Sequence, residues 1–460
     1  MILVEGFDPD AKALARLLAS EGNRVRLAGP TDEPSDAADL RARGIQVEPH
    51  ADLDTDPGSA EIAYLDVWTP AVAPRVQRLK TQGTTISCLG DLLLERWPGP
   101  TLGITGTAGK TTTTALTASI LQADGRPTAI SQGARAGNLW PTADLLERLE
   151  TATPDILLIL ELTSSHLAFM HRSPTIAAVI SFWPDHLELH GDFAAYRAAK
   201  ETIVRHQRPG GSDIVVVNAD DASAGFAECT PAQLHEFSLT HPVANGAYTT
   251  ADGDLCLANR NGVTRNLGAV PATAHPANTV AATAIAAAAG ANECAIAQGI
   301  HRHVQLPWRA QPRGLVRGVP VIDDGMAATP AKTRATLATY PERSVVLVAG
   351  GRNDAGGGRV HATPEEHALL DRACDEIART AQLVVLFGNA GHRLAEPLRT
   401  RRVDTRTADD LESALSIAAQ HLRGAHALVF SPMFPLSLEE RASVEGIVSG
   451  LSAAPAESLE

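Results

Sequence analysis

Cysteine is scarce and scattered. The five thiols, Cys88, Cys229, Cys256, Cys294 and Cys374, form no CxxC pair in 460 residues. That excludes a disulfide framework and a thiolate zinc site, and the thiols read as reduced, small buried hydrophobes. Basic charge is short as well: 39 Lys and Arg against 53 Asp and Glu leave a net charge of −14. This argues against a nucleic-acid partner held mainly through phosphates, and leaves room for one small anion in a local cationic pocket. No stretch approaches the ~18 consecutive apolar residues of a membrane span. The start, MILVEGFDPDAK, carries acids where a signal peptide is basic and then apolar. A cytoplasmic protein without membrane partners is expected. No fixed-period repeat is present. With 44% hydrophobic and 20% charged residues, the chain is long enough for two to four domains, each able to bury a core without staples.

The pattern divides the chain into three α/β parts. Residues 1–98 alternate short apolar runs (ILVE 2–5, RVRLAG 24–29, IAYLDV 62–67, TTISCL 84–89) with a helical pattern over 10–22, which favours a parallel, doubly wound sheet. WPGP at 97–100 marks a linker. Residues 99–304 open with TLGIT and a Gly-rich turn. Strands are predicted at 155–162, 176–182 and 213–218, and an Ala-rich helix over 279–291. Residues 305–460 alternate again, with strands predicted at 319–324, 344–351, 382–388 and 426–432.

Three motifs carry chemistry. The first is TGTAGKTTTT, Thr105 to Thr114, between a predicted strand and a predicted helix. That context suits a phosphate loop: Gly106 and Gly109 let backbone N–H groups and a helix N-terminus face an anion. Lys110 is placed to reach the β and γ phosphates, and Thr111 or Thr112 to bind Mg²⁺. The candidate nucleotide set is therefore Thr105, Gly106, Thr107, Gly109, Lys110, Thr111 and Thr112. The strict GxxxxGK[ST] spacing fails because residue 104 is Ile. The second motif is ELTSSHL, with Glu161 at the end of an apolar strand. A carboxylate there suits Mg²⁺, a hard cation that takes oxygen ligands; a plain surface glutamate is the alternative. The third runs over 183–203: Asp185, His186 and His190 gather at a turn, with Lys200 on the helix that follows. A metal or phosphate site is one reading, and a capping or surface His190 the other.

Taken together, the motifs resemble the Mur ligase family of ATP-dependent amide-forming enzymes. TGTAGKTT is similar to that family's own phosphate loop, ELTSSHL to its ELSSFQL, and DHLELHG followed by AYRAAK to its DHLDRHG…AAK. Asn218 to Asp221 resemble its NADD, HPANTVAA its HNxxNALAA, LPWR its LPHR, and SPMFPLSLEE its SPxxxSFD. The closest subgroup is the glutamate-adding, MurD type. The resemblance implies three domains: a Rossmann-like N-terminal substrate domain (1–98), a phosphate-loop ATPase domain (99–304) and a Rossmann-like C-terminal ligase domain (305–460).

The resemblance also implies a role for each matching position. Lys110 and Thr111 would bind ATP phosphates and Mg²⁺, and Glu161 and His186 would be Mg²⁺ ligands. Lys200 would be carbamylated and help hold a second Mg²⁺. Asn278, Arg309 and Asp324 would contact adenine, phosphates and ribose. Asn138, Ser164, Arg352, Ser431 and Ser437 would make up the substrate set. The implied reaction joins glutamate to UDP-N-acetylmuramoyl-L-alanine in peptidoglycan precursor synthesis, by a monomeric enzyme working through an acyl phosphate. Another ligase of the same chemistry acting on a different carboxylate and amine, L-glutamate included, is the alternative; a non-catalytic nucleotide-binding regulator is a further one.

Several positions depart from the family pattern. The N-terminal turn reads Gly6-Phe7-Asp8-Pro9-Asp10-Ala11. Two acids stand where a diphosphate would sit, and Asp10 is also a candidate helix cap. In the amino-acid pocket, Met326 and Asp354 replace two family lysines, with Arg352 or Arg359 as possible substitutes. Ser437 falls one residue late, and Ser181 replaces an Asn before the DH pair. An acidic acceptor is still expected, though not D-glutamate held in the usual way.

Overall fold

A computed structural model describes the chain except residues 30–33, 50–52, 54–57, 132–137, 211, 272–273, 352–363 and 454–460. The chain divides into two compact units, Met1–Val304 and Gln305–Glu460.

The first unit contains two sheets. Strands β1 (Ile2–Glu5), β2 (Val25–Gly29), β3 (Gln46–Pro49), β4 (Ile62–Tyr64) and β5 (Thr85–Ser87) form an all-parallel sheet in the order β3-β2-β1-β4-β5. The helix Pro9–Ser20 follows β1 and buries Ala11, Leu14, Ala15 and Leu18, the i, i+3, i+4, i+7 stripe of a core-facing helix. Its cap is Asp8, whose carboxylate accepts from the N–H groups of Asp10 and Ala11 at 2.8 and 3.0 Å. Asp10, the sequence candidate, instead accepts from Ala143 N at 2.7 Å, tying this helix to the start of helix Ala143–Leu149.

The second sheet has nine strands: β6 (Thr101–Thr105), β7 (Thr128–Ile130), β8 (Leu157–Glu161), β9 (Ile176–Val179), β10 (Ile214–Asn218), β11 (Gln233–Ser238), β12 (Gly246–Thr249), β13 (Asp254–Ala258) and β14 (Thr264–Ala269). Their order is β14-β13-β12-β11-β10-β9-β6-β8-β7, parallel up to β12 and antiparallel across β13 and β14. β6 and β8 are buried at every residue, as expected of parallel strands covered on both faces. Helix Lys110–Ala123 leaves β6 and buries Leu116, Ile120 and Leu121 completely. It packs against the Ala-rich helix Pro276–Ala288, which begins three residues before the predicted start because Pro276 suits a first helical turn.

The second unit holds a six-stranded sheet built from β15 (Gln311–Val316), β16 (Val319–Asp323), β17 (Val345–Gly350), β18 (Ala381–Phe387), β19 (Thr405–Ala408) and β20 (Ala427–Met433). The order is β15-β16-β20-β17-β18-β19, parallel except for the edge strand β15.

All five thiols are free. Cys88, Cys256 and Cys374 are buried, but Cys229 is only partly covered and Cys294 is exposed, against the expectation of burial throughout.

Candidate active site

The loop between β6 and helix Lys110–Ala123 is held by its neighbours. Thr107 N donates to Ser181 O and Ala108 N to Ser181 Oγ, both at 3.0 Å, so Ser181 pins the loop to the chain leaving β9. Gly109 is the helix N-cap at φ +81°. A Cβ there would lie 2.3 Å from Asn278 Oδ1, so a larger residue must push the Asn278 side chain of helix Pro276–Ala288 aside. Lys110 Nζ donates to Gly106 O at 2.8 Å.

Glu161 ends β8 and is 1% exposed, which overturns the surface-glutamate alternative. Thr111 Oγ1 donates toward Glu161 Oε1 at 3.0 Å, with Asn138 Oδ1 at 3.2 Å as a second acceptor, and Leu139 N donates to Glu161 Oε2 at 2.8 Å. The buried carboxylate is thus met by neutral donors.

Lys200 is equally enclosed, at 1% exposure, and is not a surface ammonium. The reason is helical register. Asp192 caps helix Phe193–Arg205 by accepting from Ala195 N at 2.7 Å, and Tyr196, Lys200 and Ile203 then share its buried face. Lys200 Nζ donates to Thr105 Oγ1 and Gly106 O, both at 3.1 Å, so the two lysines converge on one carbonyl. Burial, reinforced by the Lys110 charge, holds the Lys200 amine well below the ordinary lysine pKa.

His186 adopts the left-handed region at φ 55° and lies beside two acids, with Nε2 3.5 Å from Asp185 Oδ2 and Nδ1 3.6 Å from Glu188 Oε1. His190 is buried rather than capping or exposed. It meets Ser164 Oγ at 3.0 Å, and burial pushes its pKa down to about 4, so it is neutral at pH 7. This pair joins the second motif to the third. Tyr196, whose hydroxyl lies 2.9 Å from Thr107 Oγ1, was not anticipated; its i−4 spacing from Lys200 was the available signal.

In the second unit, buried Asp324 accepts from Thr336 Oγ1 (2.6 Å), Ser431 Oγ (3.1 Å) and Ala310 N (3.1 Å). Burial outweighs these bonds and raises its pKa to about 6. Arg309 donates to Pro307 O at 3.4 Å, between Trp308 and Ala310, both at positive φ. Ser437 is a helix cap: its Oγ accepts from Glu440 N at 3.1 Å. Arg352, Asp354 and Arg359 lie outside the described residues.

Among the described residues, no group of three His, Cys, Asp or Glu could hold a metal alone. The donors gathered at the loop are instead a hydroxyl, a carboxylate and an amide oxygen. That all-oxygen set, with a buried carboxylate facing neutral donors, fits Mg²⁺, which keeps nucleotide phosphates and water among its ligands.

A Gly-rich loop at the carboxyl ends of parallel strands, leading into a helix N-terminus with an oxygen-rich donor set beside it, is the arrangement of enzymes of nucleoside-triphosphate chemistry. The Mur ligase middle domain matches residues 104–286. A UDP-N-acetylmuramoylalanine–D-glutamate ligase of Frankia casuarinae is 32% identical, the alignment covering 94% of this chain and 88% of the relative. One of Symbiobacterium thermophilum is 28% identical, over 93% and 92%. The chain belongs to the Mur ligase family. It is an ATP- and Mg²⁺-dependent acid–amino-acid ligase. MurF of Acinetobacter baumannii shares the fold, with a TM-score of 0.60 at 18% identity over 94% of this chain and 91% of that one. No helix among the described residues is long and apolar enough to cross a membrane.

Proposed function

We propose that this ligase joins glutamate to UDP-N-acetylmuramoyl-L-alanine, a step of peptidoglycan precursor synthesis, as a cytoplasmic monomer. The relatives named above support the substrates. The observation that carries the chemistry is the convergence at the phosphate loop: Lys110 and Lys200 on Gly106 O, and Thr111 on buried Glu161.

The repulsion between a carboxylate and the γ-phosphate is the obstacle, and positive charge fixed at the loop lowers it. Lys110 supplies a permanent charge there. Mg²⁺, when bound, adds Lewis-acid charge, with Thr111 and Glu161 as its protein ligands. A second ion is assigned to His186 and a carbamylated Lys200. The neutral amine that carbamylation by CO₂ requires is favoured by the burial of Lys200. A substrate carboxylate oxygen attacks the γ-phosphorus and the bond to the β-phosphate oxygen breaks, giving ADP and an acyl phosphate. The amino-acid nitrogen then attacks the acyl carbon, loses a proton, and expels inorganic phosphate to leave an amide. We also retain residue 98 as a domain boundary, since separate sheets lie on either side of it.

A different donor carboxylate is the second reading, and one observation favours it. The helix start after β1 is the natural seat for a diphosphate, yet Asp8 caps it with a carboxylate. The test supplies ATP, Mg²⁺ and UDP-N-acetylmuramoyl-L-alanine with D- or L-glutamate, and follows ADP and product mass. Turnover with either isomer supports the proposal. Turnover only when a carboxylate lacking UDP is supplied moves the assignment to the second reading.

A further inference from the structure

Arg441 lies in the first turn of the helix Leu438–Ala453, beyond the carboxyl end of β20. Its sequence neighbour Glu440 and the Asp323 carboxylate near Gly325 are the counter-charges at hand, but both are committed elsewhere, Asp323 to Arg313. Glu440 Oε2 accepts from Ser437 N at 2.7 Å while Ser437 Oγ accepts from Glu440 N at 3.1 Å, a reciprocal capping box. The guanidinium of Arg441 is left with two bonds. Nη2 donates to Leu436 O at 2.9 Å, and Nη1 points at the thioether sulfur of Met326 at 3.2 Å. Its Nε is buried with no hydrogen-bond partner, and no carboxylate of the described residues pairs with it.

The contrast with Arg313 in the same unit is direct. That side chain, 9% exposed, is matched by Asp323 at 2.9 Å and Glu445 at 2.7 Å. A guanidinium carries five N–H donors and a thioether is a weak acceptor. A half-buried arginine with an unmet Nε and only a sulfur and a carbonyl before it is therefore short of an anion. Burial depresses its pKa, in keeping with that shortage.

Its place in the fold says which anion. The chain runs outward from β17 through β18 to β19 and then crosses back to place β20 between β16 and β17, and open α/β sheets take ligands at the carboxyl ends of strands where the connections change direction. Met326 follows β16 and Leu436 follows β20 on that edge. The Leu436 segment is fixed there: a Cβ on Gly351, just past β17, would meet Pro435 O at 3.1 Å and Leu436 Cδ2 at 3.2 Å. The hydrogen-bond partners of the fork among the described residues are both neutral, a thioether and a carbonyl. A planar fork in such a setting suits one carboxylate, taken bidentately. The unbranched Met326 side chain has the rotamer freedom to withdraw.

We propose that Arg441 receives a carboxylate of the incoming amino acid, Met326 giving way to it, and that Arg441 is a specificity-determining residue of this ligase. The proposal rests on the acid–amino-acid ligase reading. Either the side-chain or the α-carboxylate would satisfy the fork, and substrate analogues separate them.

The experiment measures KM for glutamate and for ATP in the full chain with Mg²⁺ and the UDP-linked carboxylate. It compares the wild type with Arg441→Met and Arg441→Lys. Loss of a charge-assisted pair raises the glutamate KM of Arg441→Met by about 10- to 150-fold, with the ATP KM within about 2-fold. Glutamine turnover that is indifferent to Arg441→Met assigns the fork to the side-chain carboxylate. Indifference with 4-aminobutyrate assigns it to the α-carboxylate. A folded Arg441→Met with an unchanged glutamate KM, or with glutamate and ATP KM rising together, overturns the proposal. Should Arg441→Met fail to fold, Arg441→Lys decides: it keeps the charge and loses the fork, so a selective rise in glutamate KM supports the assignment and an unchanged one overturns it. A wild type that turns over no amino acid contradicts the ligase reading itself, and this assignment with it.

Discussion

Substituting Gly109 by alanine tests how the phosphate loop is built. The added Cβ would stand 2.3 Å from Asn278 Oδ1, and real Cβ contacts essentially never fall below 3.0 Å, so the loop or Asn278 must move by 0.7 Å (3.0 − 2.3). The residue also sits at φ +81°, where an L side chain costs about 1–2 kcal/mol. Asn278 can swing away cheaply, because its bond from Thr113 Oγ1 is long at 3.5 Å. The stability loss is therefore modest, about 1–2 kcal/mol, or roughly 2–4 °C in Tm for a unit of this size. The catalytic loss is much larger. Relief of the left-handed strain at residue 109 turns the peptides at the helix start, whose N–H groups are proposed to face the phosphates, and misplacement on the order of 1 Å typically costs about 10²-fold. Steady-state ADP release should show kcat/KM for ATP down by about that factor while thermal denaturation shows a small shift. Adding Asn278→Ala relieves the contact but not the backbone strain, so the double variant should recover part of the stability. Wild-type kcat/KM in Gly109→Ala would refute this account of the loop.

Three further outcomes are expected. Glu161→Gln keeps the shape of the site but removes the carboxylate charge, so the Mg²⁺ concentration for half-maximal activity should rise at least tenfold, measured by titration at fixed ATP. Lys200→Ala should lower kcat by about 10², with partial recovery in short carboxylates that mimic a carbamate; full activity without additive would remove the carbamate assignment. Asp324 has a pKa raised to about 6 in the folded chain against 3.8 when unperturbed. Between those values the native state binds the extra proton, so its contribution favours folding below pH 4 and is lost as pH rises through 6. The loss is about 3 kcal/mol. Denaturant titrations at pH 4.5 and 7 should show that the Asp324→Asn chain lacks this component of the pH dependence.

The central strands were legible because parallel strands buried on both faces are continuous apolar runs: β1, β8, β9 and β10 fall within the predicted 2–5, 155–162, 176–182 and 213–218. Two of the strands that escaped notice have a wet face or an edge position. β14 is exposed at nearly every residue, and β15 carries Pro312 and Gly314 at the sheet margin. The candidate phosphate loop was readable because its residues are contiguous. Long-range pairings were not: nothing local says that His190 meets Ser164, 26 residues away, or that Thr111 finds Glu161 across 50. The isolation of Arg441 was hidden for a subtler reason. EER reads as a self-paired surface run until the capping box takes Glu440 away from it.

The most direct measurement is a coupled one: ADP release together with mass detection of the amide, from UDP-N-acetylmuramoyl-L-alanine, glutamate, ATP and Mg²⁺, for wild type and Lys110→Ala. Stoichiometric ADP and amide from the wild type, falling by about 10²-fold or more in Lys110→Ala, is the predicted result. ATP turnover unchanged by Lys110→Ala, or ADP formed with no amide from any amino acid, would contradict it.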